Sequence, residues 1–285
     1  MKAVKIIFIC VLSLAVVLYI LLPVGFGLFA SLRRTGDVGP PPDGFSAIQL
    51  VTEDAIQLMA WYRPPENGAV ILLLHGANSS RDGVRSYAEM LSGSGFGVLA
   101  LDLRGHGESQ GGGNSFGWNS AKDIGAAISY LEEQADVKMI GGLGLSMGGE
   151  SLLGAISTYP QIKAVVTDGA TQRSIGDYTV LPSRQGLARS WSTRVMYAAV
   201  ELFSGDTPPV RLVDSISAAK ETRLLLIAAG NVKSEIEYSA YFLDTAGSRA
   251  ELWTAPGAGH TGAYSIYKED YEQRVVKFFN DALVQ

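Results

Sequence analysis

Ile140-Gly141-Gly142-Leu143-Gly144-Leu145-Ser146-Met147-Gly148-Gly149 is the stretch whose reading decides the fold. It places Gly-x-Ser-x-Gly after an apolar run and before a segment that reads as helix. The motif requires that context of strand, sharp turn and helix. The turn forces the serine onto a strained corner with its hydroxyl pointing outward. Gly144 and Gly148 have no Cβ, which leaves room for strand and helix backbones to approach closely. In a chain of 33 glycines the motif alone is weak, so the sequence around it carries the argument.

On both sides of Ser146, short apolar runs alternate with amphipathic patterns. Val70–Leu74, Val98–Leu101, Lys138–Leu143, Ala164–Thr167, Leu224–Ala228 and Glu251–Thr254 are predicted strands. Gly83–Ser92, Ser120–Gln134, Met147–Thr158, Glu235–Ala246 and Tyr264–Ala282 are predicted helices. That alternation predicts a mostly parallel sheet covered on both faces. Ser46–Val51 and Ala55–Tyr62, around Thr52-Glu53-Asp54, predict a hairpin that adds antiparallel strands at one edge. The rhythm breaks at about 171–221, which holds a predicted helix, Leu187–Phe203, and then Pro208-Pro209. An insertion at that point lies over the carboxyl ends of the strands, where open α/β sheets bind ligands.

A serine hydroxyl is a weak nucleophile without an adjacent base. Of His75, His106 and His260, the last follows the final strand in the small-residue loop Ala255–Gly262 and is the candidate base. A third group, a carboxylate, should orient the imidazole and stabilise its charged form. Glu235, opening a helix after the strand Leu224–Ala228, is the candidate; Asp168, at the end of an earlier strand, is the alternative. A tetrahedral intermediate also needs backbone donors. The Met147 amide, at a helix N-terminus, and the Ala77 amide, in the loop His75-Gly76-Ala77-Asn78, are the expected pair. His75 and the loop Asp102–Ser109 read as scaffold, and Trp191 as the one tryptophan placed to line a pocket.

From Ile6 to Ala30 there is no charged residue. At about 1.5 Å per residue that run reaches roughly 37 Å, enough to span a hydrocarbon core of about 30 Å. It is longer than the apolar core of a cleaved signal peptide, so residues 1–30 are expected to be a retained transmembrane anchor. Residues 31–44, with Pro40-Pro41-Pro42, are expected to be a stiff linker, and 45–285 the globular unit. Lys2, Lys5 and the terminal amine before the span nearly balance Arg33 and Arg34 after it. The expectation is a cytoplasmic N-terminus and a globular part on the extracytoplasmic side. Asn78-Ser79-Ser80 is formally a glycosylation acceptor, but a glycan there would obstruct the proposed site. Cys10, the single cysteine, excludes an intramolecular disulfide. A net charge of −5 with no basic tract makes nucleic acid an unexpected partner.

Taken together, Leu74-His75-Gly76, Asp102-Leu103-Arg104-Gly105-His106-Gly107-Glu108-Ser109, Gly144-Leu145-Ser146-Met147-Gly148 and Pro256-Gly257-Ala258-Gly259-His260 resemble the α/β-hydrolase superfamily, in family order. The nearest likeness is to membrane-anchored esterases and the serine-aminopeptidase-like group. The resemblance implies an eight-stranded sheet, a Ser–acid–His triad at its carboxyl edge, a lid between the sixth and seventh main strands, and no cofactor. It assigns Ser146 as nucleophile and His260 as base. The family pattern usually has an aspartate where this chain has Lys233; Glu235 fits a glutamate variant. The implied activity is hydrolysis of an ester, thioester or amide, with a small acyl compound, lipids included, as substrate. A binding or scaffolding protein that kept the fold is the alternative.

Overall fold

The computed structural model describes residues 2–284. Met1, whose amine entered the charge balance, and Gln285 lie outside the described residues. The main sheet has eight strands: β2 (Ser46–Val51), β3 (Gln57–Arg63), β4 (Ala69–Leu74), β5 (Gly97–Leu101), β7 (Met139–Leu145), β8 (Ile162–Asp168), β9 (Arg223–Ala229) and β10 (Ala250–Ala255). Their spatial order is β10-β9-β8-β7-β4-β5-β3-β2. β2 pairs antiparallel with β3 and β3 with β5; the pairs from β5 through β4, β7, β8 and β9 to β10 are parallel.

All six residues of β4 and all five of β5 are buried. That is why they read as unbroken apolar runs rather than alternating ones. After β4 the chain moves to one side, to β5, and then crosses back to lay β7 on the other side of β4. The carboxyl ends of β4 and β7 thus flank the switch point, where such sheets form a crevice. Two apolar layers cover the faces. One lies under α4 (Ser120–Glu132), α5 (Met147–Ala155) and α9 (Lys233–Ala246), the other under α3 (Arg85–Gly93) and α11 (Lys268–Leu283). The expected last helix is divided at Tyr267 into α10 (Ala263–Ile266) and α11, because Tyr267 leaves helical geometry at φ −122°, ψ 46°.

The structure departs from the expected linker. Arg34–Thr35 (β1) pairs in parallel with His106–Gly107 (β6), a second, two-stranded ladder beside the main sheet. The Arg34 and Gly36 amides donate to Gly105 and Gly107 at 2.6 and 2.9 Å. Arg85 donates to the Pro40 carbonyl at 2.5 Å. Backbone and side-chain hydrogen bonds lay this segment along the globular unit, where the proline run alone predicts a stiff linker holding the domain away from the helix.

The insertion holds α6 (Ile175–Tyr178), α7 (Leu187–Ser204) and α8 (Leu212–Ala218). Leu212 and Ile216 of α8 are wholly buried in the core, so α8 belongs to the body of the fold. N-terminal to everything is one helical run, Lys2–Ala30, whose most apolar 18 residues have a mean hydropathy of 2.9. It comprises α1 (Lys2–Val16), a π turn (Val17–Leu21) and α2 (Leu22–Ala30). Pro23 has no N–H to offer the Tyr19 carbonyl four residues back. That carbonyl instead accepts from the Trp191 indole of α7 at 3.2 Å.

Candidate active site

β7 ends at Leu145, and the next residue turns the chain. Ser146 has φ 50° and ψ −118°, a strained conformation for a residue with a Cβ. Its amide donates to the Asp168 carbonyl at 2.8 Å. The two motif glycines are dictated by contact. A Cβ on Gly144 would lie 2.4 Å from the Gly148 carbonyl carbon, and one on Gly148 would lie 2.5 Å from the Leu74 carbonyl oxygen. Both clashes are with backbone, which cannot yield as a side chain can.

Ser146, His260 and Glu235 come together in a line. The Ser146 hydroxyl lies 2.9 Å from His260 Nε2, and His260 Nδ1 lies 2.6 Å from Glu235 Oε1. A carboxylate accepts, so Nδ1 carries the proton and Nε2 is left to accept from the serine hydroxyl. Glu235 is buried and its other oxygen accepts from the Ala229 amide at 2.8 Å. The hydrogen bond to Glu235 raises the His260 pKa, against the opposing effect of burial. Lys233, in the position the family pattern gives to an aspartate, is exposed and pairs with Glu237.

Asp168 is also buried near the imidazole, at the end of β8, but neither of its carboxylate oxygens has a well-formed hydrogen bond. Burial, and then the neighbouring Glu235 charge, push its pKa up to about 7. It faces Tyr271, whose hydroxyl is likewise without a well-formed partner. The structure thus brings Glu235 to His260 and leaves Asp168 unbonded beneath them.

Ala77 and Met147 line one cavity. Met147 opens α5, so its amide has no partner within that helix. The loop after β4 lies against the serine corner, since a Cβ on Gly76 would be 3.5 Å from that of Ser146. His75 is fully buried. Its Nδ1 donates to the Gly76 carbonyl at 2.7 Å and its Nε2 accepts from the Leu103 amide at 3.2 Å. Burial holds it to a pKa of about 4, as it does His106. The loop after β5 is tied by Asp102, which accepts from the Arg81 and Glu108 amides at 2.6 and 2.9 Å and pairs with the Arg81 guanidinium. Among the described residues, no three His, Cys, Asp or Glu side chains gather as a metal site would.

Several residues escaped the sequence reading. Gly169 has φ +79°, and a Cβ there would lie 3.0 Å from His260 Cε1, so this glycine makes the seat of the imidazole. Glu150, buried and pushed up to about 7 by that burial, accepts from the Thr171 and Gln172 amides and so ties the start of the insertion to α5. Arg34 donates to the Asn78 side chain at 2.5 Å, next to Ala77. A glycine directly after a buried strand was the one visible signal among these.

The sequence profile of the serine aminopeptidase S33 family matches residues 65–228, more than half of the chain. The chain belongs to this family. It has the α/β-hydrolase fold and is a hydrolase by descent. Among solved structures it is similar to the Pyrococcus furiosus esterase Pf2001 (TM-score 0.71, 24% identity, 89% of this chain and 98% of that one). It is also similar to the α/β hydrolase GrgF from Penicillium sp. sh18 (0.66, 16%, 85% and 99%). A third likeness is to a dienelactone hydrolase from Anabaena variabilis (0.62, 20%, 84% and 98%). No curated protein matches the chain. At these identities the solved structures speak to the fold, and the serine, imidazole and carboxylate of this S33-family chain carry the chemical argument.

Proposed function

We propose that this protein is a membrane-tethered serine hydrolase, a carboxylesterase, that cleaves its substrate through an acyl-enzyme. The observation that carries the reading is the unbroken path from Glu235 Oε1 through both nitrogens of His260 to Ser146 Oγ. As the Ser146 oxygen attacks the substrate carbonyl, His260 Nε2 takes its proton. Glu235 holds the imidazole in the tautomer that can accept and then stabilises the imidazolium. The Ala77 and Met147 amides receive the oxyanion, with the α5 dipole adding to the attraction. His260 then protonates the leaving alkoxide, and the same nitrogen activates the water that releases the acid. Two structural neighbours, an esterase and a dienelactone hydrolase, support ester cleavage, although the family takes its name from an aminopeptidase.

The test is labelling by a fluorophosphonate and turnover of short p-nitrophenyl esters. The native protein is expected to take the label and hydrolyse the esters. Ser146→Ala should take no label and lose at least about 10⁴-fold in kcat/KM. A native protein inert to both reagents and indistinguishable from Ser146→Ala would overturn the reading.

A further inference from the structure

The cavity against Ala77 and Met147 has a wall that the hydrolase fold itself does not supply. Phe26, Phe29 and Leu32, at the end of the N-terminal helix, close it opposite Phe116, Ala77 and Met147. The space, including its open mouth, is about 460 Å³. Its lining is mostly apolar; the polar members are Arg34 and Asn78, which bond to each other, and the buried His106 and Asn114.

The helix end is locked in place by three independent contacts. Gly27 crosses α7 so closely that a Cβ would lie 2.6 Å from the Met196 carbonyl oxygen and 2.9 Å from the Ala199 Cβ. Arg34 donates to the Phe29 carbonyl at 2.7 Å while its guanidinium lies 4.1 Å from the centre of the Phe29 ring. Trp191 holds the Tyr19 carbonyl. Meanwhile Phe26 and Phe29 keep more than half their surface exposed, so their place is not explained by core packing.

We propose that the last two turns of the N-terminal helix form the acyl-chain wall of the active site, and that the substrates are esters of medium-length straight-chain acids held in the bilayer. This rests on the serine hydrolase reading above. The oxyanion and the acyl chain leave the same carbon of the tetrahedral intermediate. A mostly apolar cavity bordered by Ala77 and Met147, the residues of the proposed oxyanion donors, therefore suits the acyl side of the ester. Because its outer wall belongs to the anchor, a chain can pass along the apolar helix into the site without crossing water.

The experiment uses the full chain in phosphatidylcholine nanodiscs and measures kcat/KM for p-nitrophenyl acetate, butyrate, octanoate and dodecanoate. Each buried methylene favours binding by about fourfold, so the parent should prefer octanoate to acetate by at least about 50-fold. The Phe26→Ala/Phe29→Ala variant should lose about tenfold or more of that preference, read as the ratio of octanoate to acetate kcat/KM. Ala30→Trp, which fills the cavity from the same helix, should shift the optimum to acetate. An active, labelled parent whose chain-length profile is unchanged in both variants overturns the wall and leaves the hydrolase reading standing. A parent that neither turns over ester nor takes the label overturns both.

Discussion

Glu235 and Asp168 are two buried carboxylates acting on one imidazole, and their hydrogen bonds separate their roles. Glu235 has a bond for each oxygen; Asp168 has none that is well formed. Glu235→Gln keeps the shape but removes the charge and favours the wrong tautomer, so kcat should fall about 10³–10⁴-fold. The raised His260 pKa means the neutral base is depleted as pH falls, so kcat/KM should rise with pH through a value above the usual 6.5. With glutamine at 235 that limb should move to lower pH, as a pH–rate profile will show. For Asp168 the sign differs. Its folded pKa, about 7, lies above its unfolded value, so the stability of the neutral form is present in acid and lost as pH rises towards 7. Asp168→Asn should therefore melt a few degrees higher than the parent at pH 8 and no higher at pH 4, and should keep its activity. A large loss of turnover in Asp168→Asn with none in Glu235→Gln would exchange their roles. The sequence pointed to both acids because each ends or follows a strand at the right edge. Which carboxylate reaches the imidazole depends on a helix turn and a loop path that no spacing encodes.

At the scale of elements, the parallel strands were legible because burial on both faces leaves an uninterrupted apolar signature, as in β4 and β5. The serine corner was legible because its glycines are forced by backbone contact. The β1–β6 ladder was not, since two residues per strand carry no periodicity, and neither was the contact of α2 with α7, which joins segments about 170 residues apart. Gly169 shows how little of an element's end needs to change for the site to fail. Its φ is positive and its missing side chain faces the imidazole edge. Gly169→Val should displace His260 and strain the turn. Displacements of about 1 Å cost on the order of 10²-fold, so kcat should drop by about that factor, while fluorophosphonate labelling slows in parallel. A Gly169→Val protein with parental kcat would show that the loop Ala255–Gly262, and not this contact, sets the position of the imidazole.

For the whole molecule, the distribution of exposed apolar surface argues where a bilayer would lie. No residue of α1 is buried, and the first buried positions in the helix are Pro23 and Gly27. Ile6–Leu22 covers roughly 25 Å at about 1.5 Å per residue, close to the thickness of a hydrocarbon core. If a bilayer surrounds that stretch, Tyr19 and Trp191, bonded to each other through carbonyl and indole, fall at its edge, where aromatic side chains are favoured. Beyond them Pro23–Ala30 continues as helix packed against α7, so the N-terminal helix and the domain meet without a free spacer. The full chain should therefore remain in the membrane pellet after an alkaline carbonate wash. Orientation follows from a second measurement. Lys277 is exposed on α11, far along the chain from the span, and Cys10 is the one native thiol. In intact cells a membrane-impermeant maleimide should label Lys277→Cys and leave the parent, with its thiol within the span, unlabelled. Labelling of Lys277→Cys only after the cells are opened would place the domain on the cytoplasmic side, and release of the parent by carbonate would remove the membrane from this account altogether.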